Sequence, residues 1–205
     1  MAEPLTDTLF TAIGKLASTH TYMDYHLSRV ARLMAGSESE EVVWILFEGR
    51  STEQVISDMT AMIDVWLEWP EKYLPPISER PRISEFQSTL KELKILNELR
   101  NEVIHGVIIT EPDRRQVVYP PWGKSPDMPT YLFARSRIRK GVTRVSAFTI
   151  SDIDRIEERL WTIARQLEDL YRNAQQERES LEEAAAEAAL PEYLRYTEEH
   201  KLTEN

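Results

Sequence analysis

The chain has no cysteine in 205 residues, which excludes disulfides, thiolate nucleophiles and thiolate zinc sites. Its first residues, Met1 to Pro4, include no basic segment followed by an apolar run. No later stretch approaches the ~18 consecutive apolar residues of a membrane span. There is also no glycine-rich phosphate loop and no Ser-His-Asp pattern. The sequence therefore predicts a soluble, cytoplasmic protein with no membrane partner, no metal and no other cofactor.

Basic residues are in deficit, with 25 Lys and Arg against 35 Asp and Glu and a net charge of −10. A uniformly basic surface for nucleic acid is therefore excluded. The charge is uneven, because residues 106–150 hold eight Lys and Arg against three carboxylates, a net charge of +5 that leaves −15 elsewhere. The sequence thus predicts one local basic region in an acidic protein.

Proline and glycine interrupt the chain at few points, and between them apolar residues recur with helical spacing. Four prolines within residues 70–81 exclude a helix there. Five helices are predicted. Three have both ends assigned, at Pro4–Ala35, from Ser39 to about Phe47, and from about Pro81 to Gly106. The other two begin after an N-cap at Ser51 or Thr52 and after an N-cap at Ser151 or Thr149. We therefore expect a mainly α fold, an up-and-down bundle of four to five long helices.

Between Gly106 and Ile150 the helical period gives way to short β-rich runs at 107–109, 116–119, 130–134 and 143–148. Proline and glycine separate the runs. We expect a small antiparallel β element inserted before the last long helix. The predicted organisation is a helical domain over 1–175, which includes the basic insert 106–150, and an acidic, helix-prone tail over 176–205.

The helix that ends at Gly106 carries a polar row beside its apolar one. Its apolar arc consists of Phe86, Leu90, Leu93, Leu96 and Val103. Arg100 falls inside that arc, where a cation needs a partner or a cleft. Asn97, Asn101 and His105 follow one another at intervals of four residues, so they stack along one edge of the same face. These four polar residues are our candidate site.

The stretch from Arg100 to His105 resembles the Arg-x(4–6)-His motif of HEPN-domain proteins. In that family the motif lies late in a long bundle helix, and its arginine is commonly followed by a polar residue, here Asn101. The bare spacing is not specific, because about one accidental match is expected in a chain of this composition. A second copy, from Arg195 to His200, lacks the asparagine, the apolar helix and the terminating glycine. The resemblance covers the arrangement from about Pro4 to Asn173, although only six residues form the motif.

The resemblance implies a metal-independent endoribonuclease, in which the ribose 2′-hydroxyl attacks the adjacent phosphate and leaves a cyclic phosphate. His105 would be the acid–base residue, Arg100 the phosphate clamp and Asn101 an orienting group. We add Asn97 as a substrate-binding residue. Arg100 and His105 are about 140° apart on an ideal helix, so the arginine must reach round it or the last turn must deviate.

The resemblance also implies partners. One helix supplies a single histidine, whereas the reaction needs an acid and a base, and active relatives solve this as homodimers whose two motifs share a cleft. Active members of the family are concentrated in toxin–antitoxin and anti-phage defence systems. We therefore expect a homodimer that acts on RNA, with room for an antitoxin or regulatory protein as a further partner.

The basic region supplies a second candidate surface. Tyr131, Phe133, Arg135, Arg137 and Arg139 alternate along one run and would project from one strand face. Such a face can stack bases and follow phosphates, which makes the three arginines candidate substrate-binding residues. The alternative is that the aromatic rings pack on the bundle and the arginines meet the acidic helices.

Three alternatives to catalysis stay open for the polar row. In the first, the chain is a non-catalytic HEPN-like module that binds a nucleotide or a partner protein. In the second, it is a helical scaffold whose acidic tail docks elsewhere. In the third, Arg100 forms an ion pair with Asp24, with Glu92 or across a dimer interface, and His105 is a cation favoured by the helix C-terminus.

Other residues are assigned to structure. His20 and His26 lie on the first helix without a matching acidic spacing, so they are expected to be core or surface histidines. The tryptophans in or beside apolar stripes are expected to be core residues, namely Trp44, Trp66, Trp69 and Trp161.

Overall fold

The computed structural model describes residues 7–34, 49–68, 80–109, 117–124, 130–137 and 142–202. Over these ranges the chain is mainly helical, with one small sheet. Its elements are α1 (Asp7–Met34), α2 (Thr52–Glu68), α3 (Arg80–His105), β1 (Val107–Ile109), β2 (Val117–Val118), β3 (Thr130–Arg137), β4 (Val142–Thr149) and α4 (Ile150–Leu202). The helix predicted from Ser39 and most of the proline-rich connection lie outside the described residues.

Side chains at the predicted N-caps start two of the helices. Ser51 precedes α2. Its Oγ accepts a hydrogen bond from the backbone N–H of Gln54 at 3.3 Å, and the side-chain oxygen of Gln54 accepts one from the backbone N–H of Ser51 at 2.9 Å. Thr149 precedes α4 in the same way, exchanging backbone-to-side-chain bonds of 2.9 and 3.1 Å with Asp152. Both are capping boxes, which satisfy backbone amides that the first helical turn leaves unpaired.

The core lies between α1, α2 and α3, which contact one another in pairs, and against the inner face of the sheet. Contacts from α4 join it to α1 and α3: Tyr22 stacks on Trp161 at 5.0 Å, and Arg159 pairs with Glu92 at 2.5 Å. Trp161 was expected to be a core residue, and that expectation is wrong. Its side chain is 38% exposed, because one face of the ring meets Tyr22 while Arg165 lies over the ring.

The sheet has the strand order β1-β3-β4-β2 and is mixed rather than antiparallel. β1 and β4 both run antiparallel to β3, but β2 pairs parallel with β4 through Val117 and Val118. Each predicted β-rich run coincides with one strand, and β3 and β4 extend beyond the predicted runs. The expectation of a purely antiparallel element is wrong, because it assumed that strands adjacent in sequence pair as hairpins, whereas β1 and β2 lie at opposite edges of the sheet.

The chain separates into two compact units, Met1–Leu167 and Glu168–Asn205. Helix α4 supplies apolar core residues to the first unit, the last of them Leu167. The described side chains of the second unit are half-buried or exposed, and Arg172 there pairs with Glu168 at 2.9 Å. None of the described helices is both long enough and apolar enough to span a membrane.

Candidate functional site

The last turns of α3 bring the motif side chains to one place. Arg100 is half-buried, and its Nη1 donates a hydrogen bond to the Asn101 Oδ1 at 2.7 Å. Its Nε is buried and has no hydrogen-bond partner. Within the described part of the chain no carboxylate forms an ion pair with Arg100, and Glu92, one predicted partner, is bound to Arg159 instead. Arg100 therefore has unused donor capacity in a partly desolvated position.

A second cation lies beside Arg100. Burial lowers the pKa of the Arg100 guanidinium, the Asp24 carboxylate opposes this, and the charge on Arg135 adds to the lowering. His105 is an exposed residue at the end of α3. The partial burial of its ring, followed by the charges of Arg100 and Arg135, lowers its pKa below the ordinary value. The three side chains therefore share one positive region, which we call the Arg100 cluster, and its field favours the neutral form of His105.

The junction between α3 and β1 positions Arg135. A Cβ added to Gly106 would lie 2.2 Å from the Glu102 carbonyl oxygen and 2.9 Å from the Phe133 Cβ, so only glycine lets the chain turn this close to β3. Val107 then pairs with Ala134. Arg135 is the next residue along β3, on the face shared with Phe133, which brings it to the end of α3.

Close to the Arg100 cluster lies a chain of polar side chains that connects three helices. His20 and Asn97 in it are buried, whereas the Asp24 side chain is 39% exposed. The ring of His20, in α1, has Nδ1 3.2 Å from the Asp24 Oδ2 and Nε2 3.1 Å from the Asn97 Oδ1. Thr52, at the start of α2, donates a hydrogen bond of 2.8 Å to the other oxygen of Asp24. We call these residues the His20 network.

Two sequence expectations are affected by the His20 network. Asn97, proposed to bind substrate, is only 5% exposed and faces His20. The expectation that His20 has no acidic residue at matching spacing is wrong, since Asp24 is four residues later on the same helix face. That spacing was the one sequence signal for the network, whereas Thr52 and Asn97 reach it from other elements.

Glu102 is a further buried polar residue that sequence reasoning missed. Its carboxylate is 4% exposed; Ser146 donates a hydrogen bond to Oε2, and the Arg144 Nε lies 3.0 Å from Oε1. Both partners come from β4. A buried carboxylate with two partners fixes the sheet to α3 and leaves little capacity for a ligand.

The strand face predicted to carry aromatic rings and arginines has two parts, buried rings that pack in the core and an arginine that belongs to the Arg100 cluster. Tyr131 and Phe133 are 3% and 1% exposed, which agrees with the packing alternative for the two rings. Arg135 is half-buried and joins the Arg100 cluster. Arg137 ends β3, and Arg139 lies outside the described residues.

Comparison with known proteins adds no relative. No family model matches the chain, and neither the curated proteins nor the solved structures contain a match. Among the described residues no three His, Asp or Glu side chains form a group that could hold a metal ion. The likeness to HEPN proteins therefore rests on the motif and its place at the end of α3.

Proposed function

We propose that the Arg100 cluster binds the phosphodiester of RNA and that the chain is a HEPN-like, metal-independent endoribonuclease. The observation that supports this most is the half-buried guanidinium of Arg100, which has a buried, unpaired Nε and no ion-pair partner among the described residues. Arg135 adds positive potential beside it. The Asp24 carboxylate also acts on Arg100, but its ion pair is with His20. Two neighbouring arginines, one of them with an unpaired donor, suit an oxyanion.

The reaction needs a base, a group that stabilises the phosphorane and an acid. The cluster of one chain offers the first two, and His105 of a second chain would supply the proton for the 5′-oxygen. A base removes the proton of the ribose 2′-hydroxyl, whose oxygen forms a bond to phosphorus. The bond from phosphorus to the 5′-oxygen then breaks, and that oxygen takes up a proton. His105 is exposed and favoured in its neutral form, so it is suited to accept the first proton. Arg100 stabilises the additional negative charge on the phosphorane.

The proposal includes the finer features that the resemblance implies. Helices α1 to α4 would form an up-and-down bundle, and two chains would associate so that two motifs face one cleft. The cellular setting would be toxin–antitoxin or anti-phage defence, with an antitoxin or regulatory protein as a partner. Sedimentation velocity at the concentrations used for activity measurements tests the homodimer.

A ribonuclease assay in EDTA tests the activity. Arg100→Ala should lower the cleavage rate by about 10²–10³-fold, because it removes the group that stabilises the phosphorane. His105→Ala should lower it by about 10²–10⁴-fold through loss of proton transfer. The matched controls are Arg195→Ala and His200→Ala, which remove the second Arg-x4-His spacing and should cleave like the wild type.

One contact favours a non-catalytic alternative. The hydrogen bond from Arg100 to Asn101 fixes the guanidinium before any ligand arrives, as a binding module for a nucleotide or a protein would also require. In that case the wild-type protein binds RNA or a nucleotide without cleaving it, and Arg100→Ala weakens binding. Cleavage that survives both motif substitutions, or that requires a metal, contradicts the nuclease proposal.

A further inference from the structure

The His20 network has more polar groups than helix packing needs. His20 is 4% exposed, and both ring nitrogens face an oxygen, Nδ1 that of Asp24 and Nε2 that of Asn97. A neutral imidazole has one donor and one acceptor, whereas an imidazolium donates on both sides. With the Asn97 oxygen facing Nε2, as here, the network fits the protonated ring. Rotating the Asn97 side-chain amide by 180° would place its nitrogen there instead and fit the neutral ring.

The charges around His20 set its protonation. Burial lowers the pKa of His20, whereas Asp24 on the same helix and the hydrogen bond with Asn97 raise it. The charges of Arg100 and His105 on α3 lower it further. From β3, Arg135 faces those two α3 side chains. Helix α2 contributes the uncharged Thr52, and α4 contributes Glu157, which accepts a hydrogen bond from Thr19 at 2.6 Å. The Arg100 cluster therefore opposes a charge on His20 as long as the cluster itself is uncompensated.

We propose that His20 takes up a proton when an oxyanion binds at the Arg100 cluster, and that this proton sets the orientation of the Asn97 side chain. The anion cancels the positive potential that opposes the imidazolium, and Asp24 remains as its counter-ion. The inference rests on the oxyanion-binding part of the proposed function and not on RNA cleavage.

His20 is a positioning residue in this scheme, because its buried ring does not reach the substrate. It acts through Asn97, whose side chain must present its oxygen to an imidazolium and its amide nitrogen to a neutral ring. Asn97 lies one turn before Arg100 and Asn101 on α3, so the change occurs directly behind the phosphate clamp.

NMR titration of the histidine rings in the full-length protein tests the proposal. The probe is sodium sulfate, which does not titrate near neutral pH, compared with sodium chloride at equal ionic strength. We expect sulfate to raise the proton affinity of His20 by roughly tenfold. His26, another buried histidine of the same helix, serves as the internal comparison for the size of the sulfate effect.

The outcomes separate the two proposals. If sulfate alters the titration of His105 and leaves His20 unchanged, the inference is wrong while the oxyanion site stands. If sulfate alters neither ring, both proposals fail. In Arg100→Gln the sulfate effect on His20 should disappear. His20→Gln identifies the His20 signal, and Asp24→Asn, which lowers the pKa of His20 by removing its counter-ion, provides the assignment if the first variant does not fold.

Discussion

Arg100 and Glu102 lie two residues apart on α3 and are both partly or fully withdrawn from water, yet their surroundings differ. Glu102 has a hydrogen bond from Ser146 and an ion pair with Arg144. Arg100 has only the Asn101 side chain and an unpaired buried Nε. A buried group whose bonding capacity is filled is structural, whereas one with spare capacity is a candidate to bind a ligand.

Glu102→Ala should therefore lower stability rather than act on the site. It leaves the Ser146 hydroxyl buried without its acceptor and removes the counter-ion of Arg144, and the expected cost is about 1–3 kcal/mol. The lower part of that range applies if water compensates Arg144, whose side chain is 38% exposed. Urea denaturation measures the change. Glu98→Ala, at an exposed position of the same helix, should alter the free energy of unfolding by less than about 0.5 kcal/mol. Equal effects of the two substitutions would contradict the role given to Glu102.

The passage from α3 through Gly106 into β1 places a helix end against a sheet. Among the described residues, the left-handed backbone conformation that favours glycine occurs at Gly49 and Gly123 and not at Gly106. Gly106 is therefore required for space and not for its backbone conformation. The close approach to Phe133 brings β3, and Arg135 with it, to the motif. The geometry of the Arg100 cluster thus depends on one residue without a side chain.

Gly106→Ala should destabilise the protein by about 1–3 kcal/mol, since the added methyl group meets the Glu102 carbonyl and the Phe133 Cβ. Gly14→Ala is the matched control, because no atom lies within 4 Å of an added Cβ there and the residue is inside α1. The control should stabilise by about 0.5–1 kcal/mol, the usual gain of alanine over glycine in a helix. Thermal unfolding of the two variants tests the pair, and stabilisation by both would show that Gly106 is not sterically required.

Sequence periodicity is informative about these elements because it depends on local geometry. The presence of α1, the capping residues Ser51 and Thr149 and the place of each strand all follow from residues close in the chain. Pairing across the sheet does not, which is why the parallel β2–β4 pair was not predicted. The exposure of Trp161 likewise depends on which neighbour reaches it, here Tyr22 of another helix.

The candidate site also combines residues that local sequence predicts with residues that only the fold brings together. Arg100, Asn101 and His105 could be named from the sequence because they share one helix end. Arg135 was also named, but its place beside Arg100 and His105 was not predicted, because it comes from the sheet. Thr52 was missed in the His20 network, which it reaches from α2. The net charge of −10 likewise concealed a local cluster of positive groups.

Truncation after Asn173 should leave the site intact. The first compact unit ends at Leu167, and none of the described side chains beyond that residue is buried. The shortened protein should therefore retain the ribonuclease activity and the cooperative unfolding of the full chain. Activity assays and circular dichroism test this. Loss of activity with retained folding would support the alternative in which the acidic tail carries the function.

The end groups of the RNA product decide whether the Arg100 cluster performs the proposed chemistry. Total RNA is incubated with the wild-type protein in EDTA, and mass spectrometry reads the new ends, with His105→Ala as the comparison. Attack by the 2′-hydroxyl predicts 2′,3′-cyclic phosphate and 5′-hydroxyl ends in the wild-type reaction and their loss in the variant. Products with 3′-hydroxyl and 5′-phosphate ends, or cleavage of an RNA that is 2′-deoxy at the cut site, would contradict it.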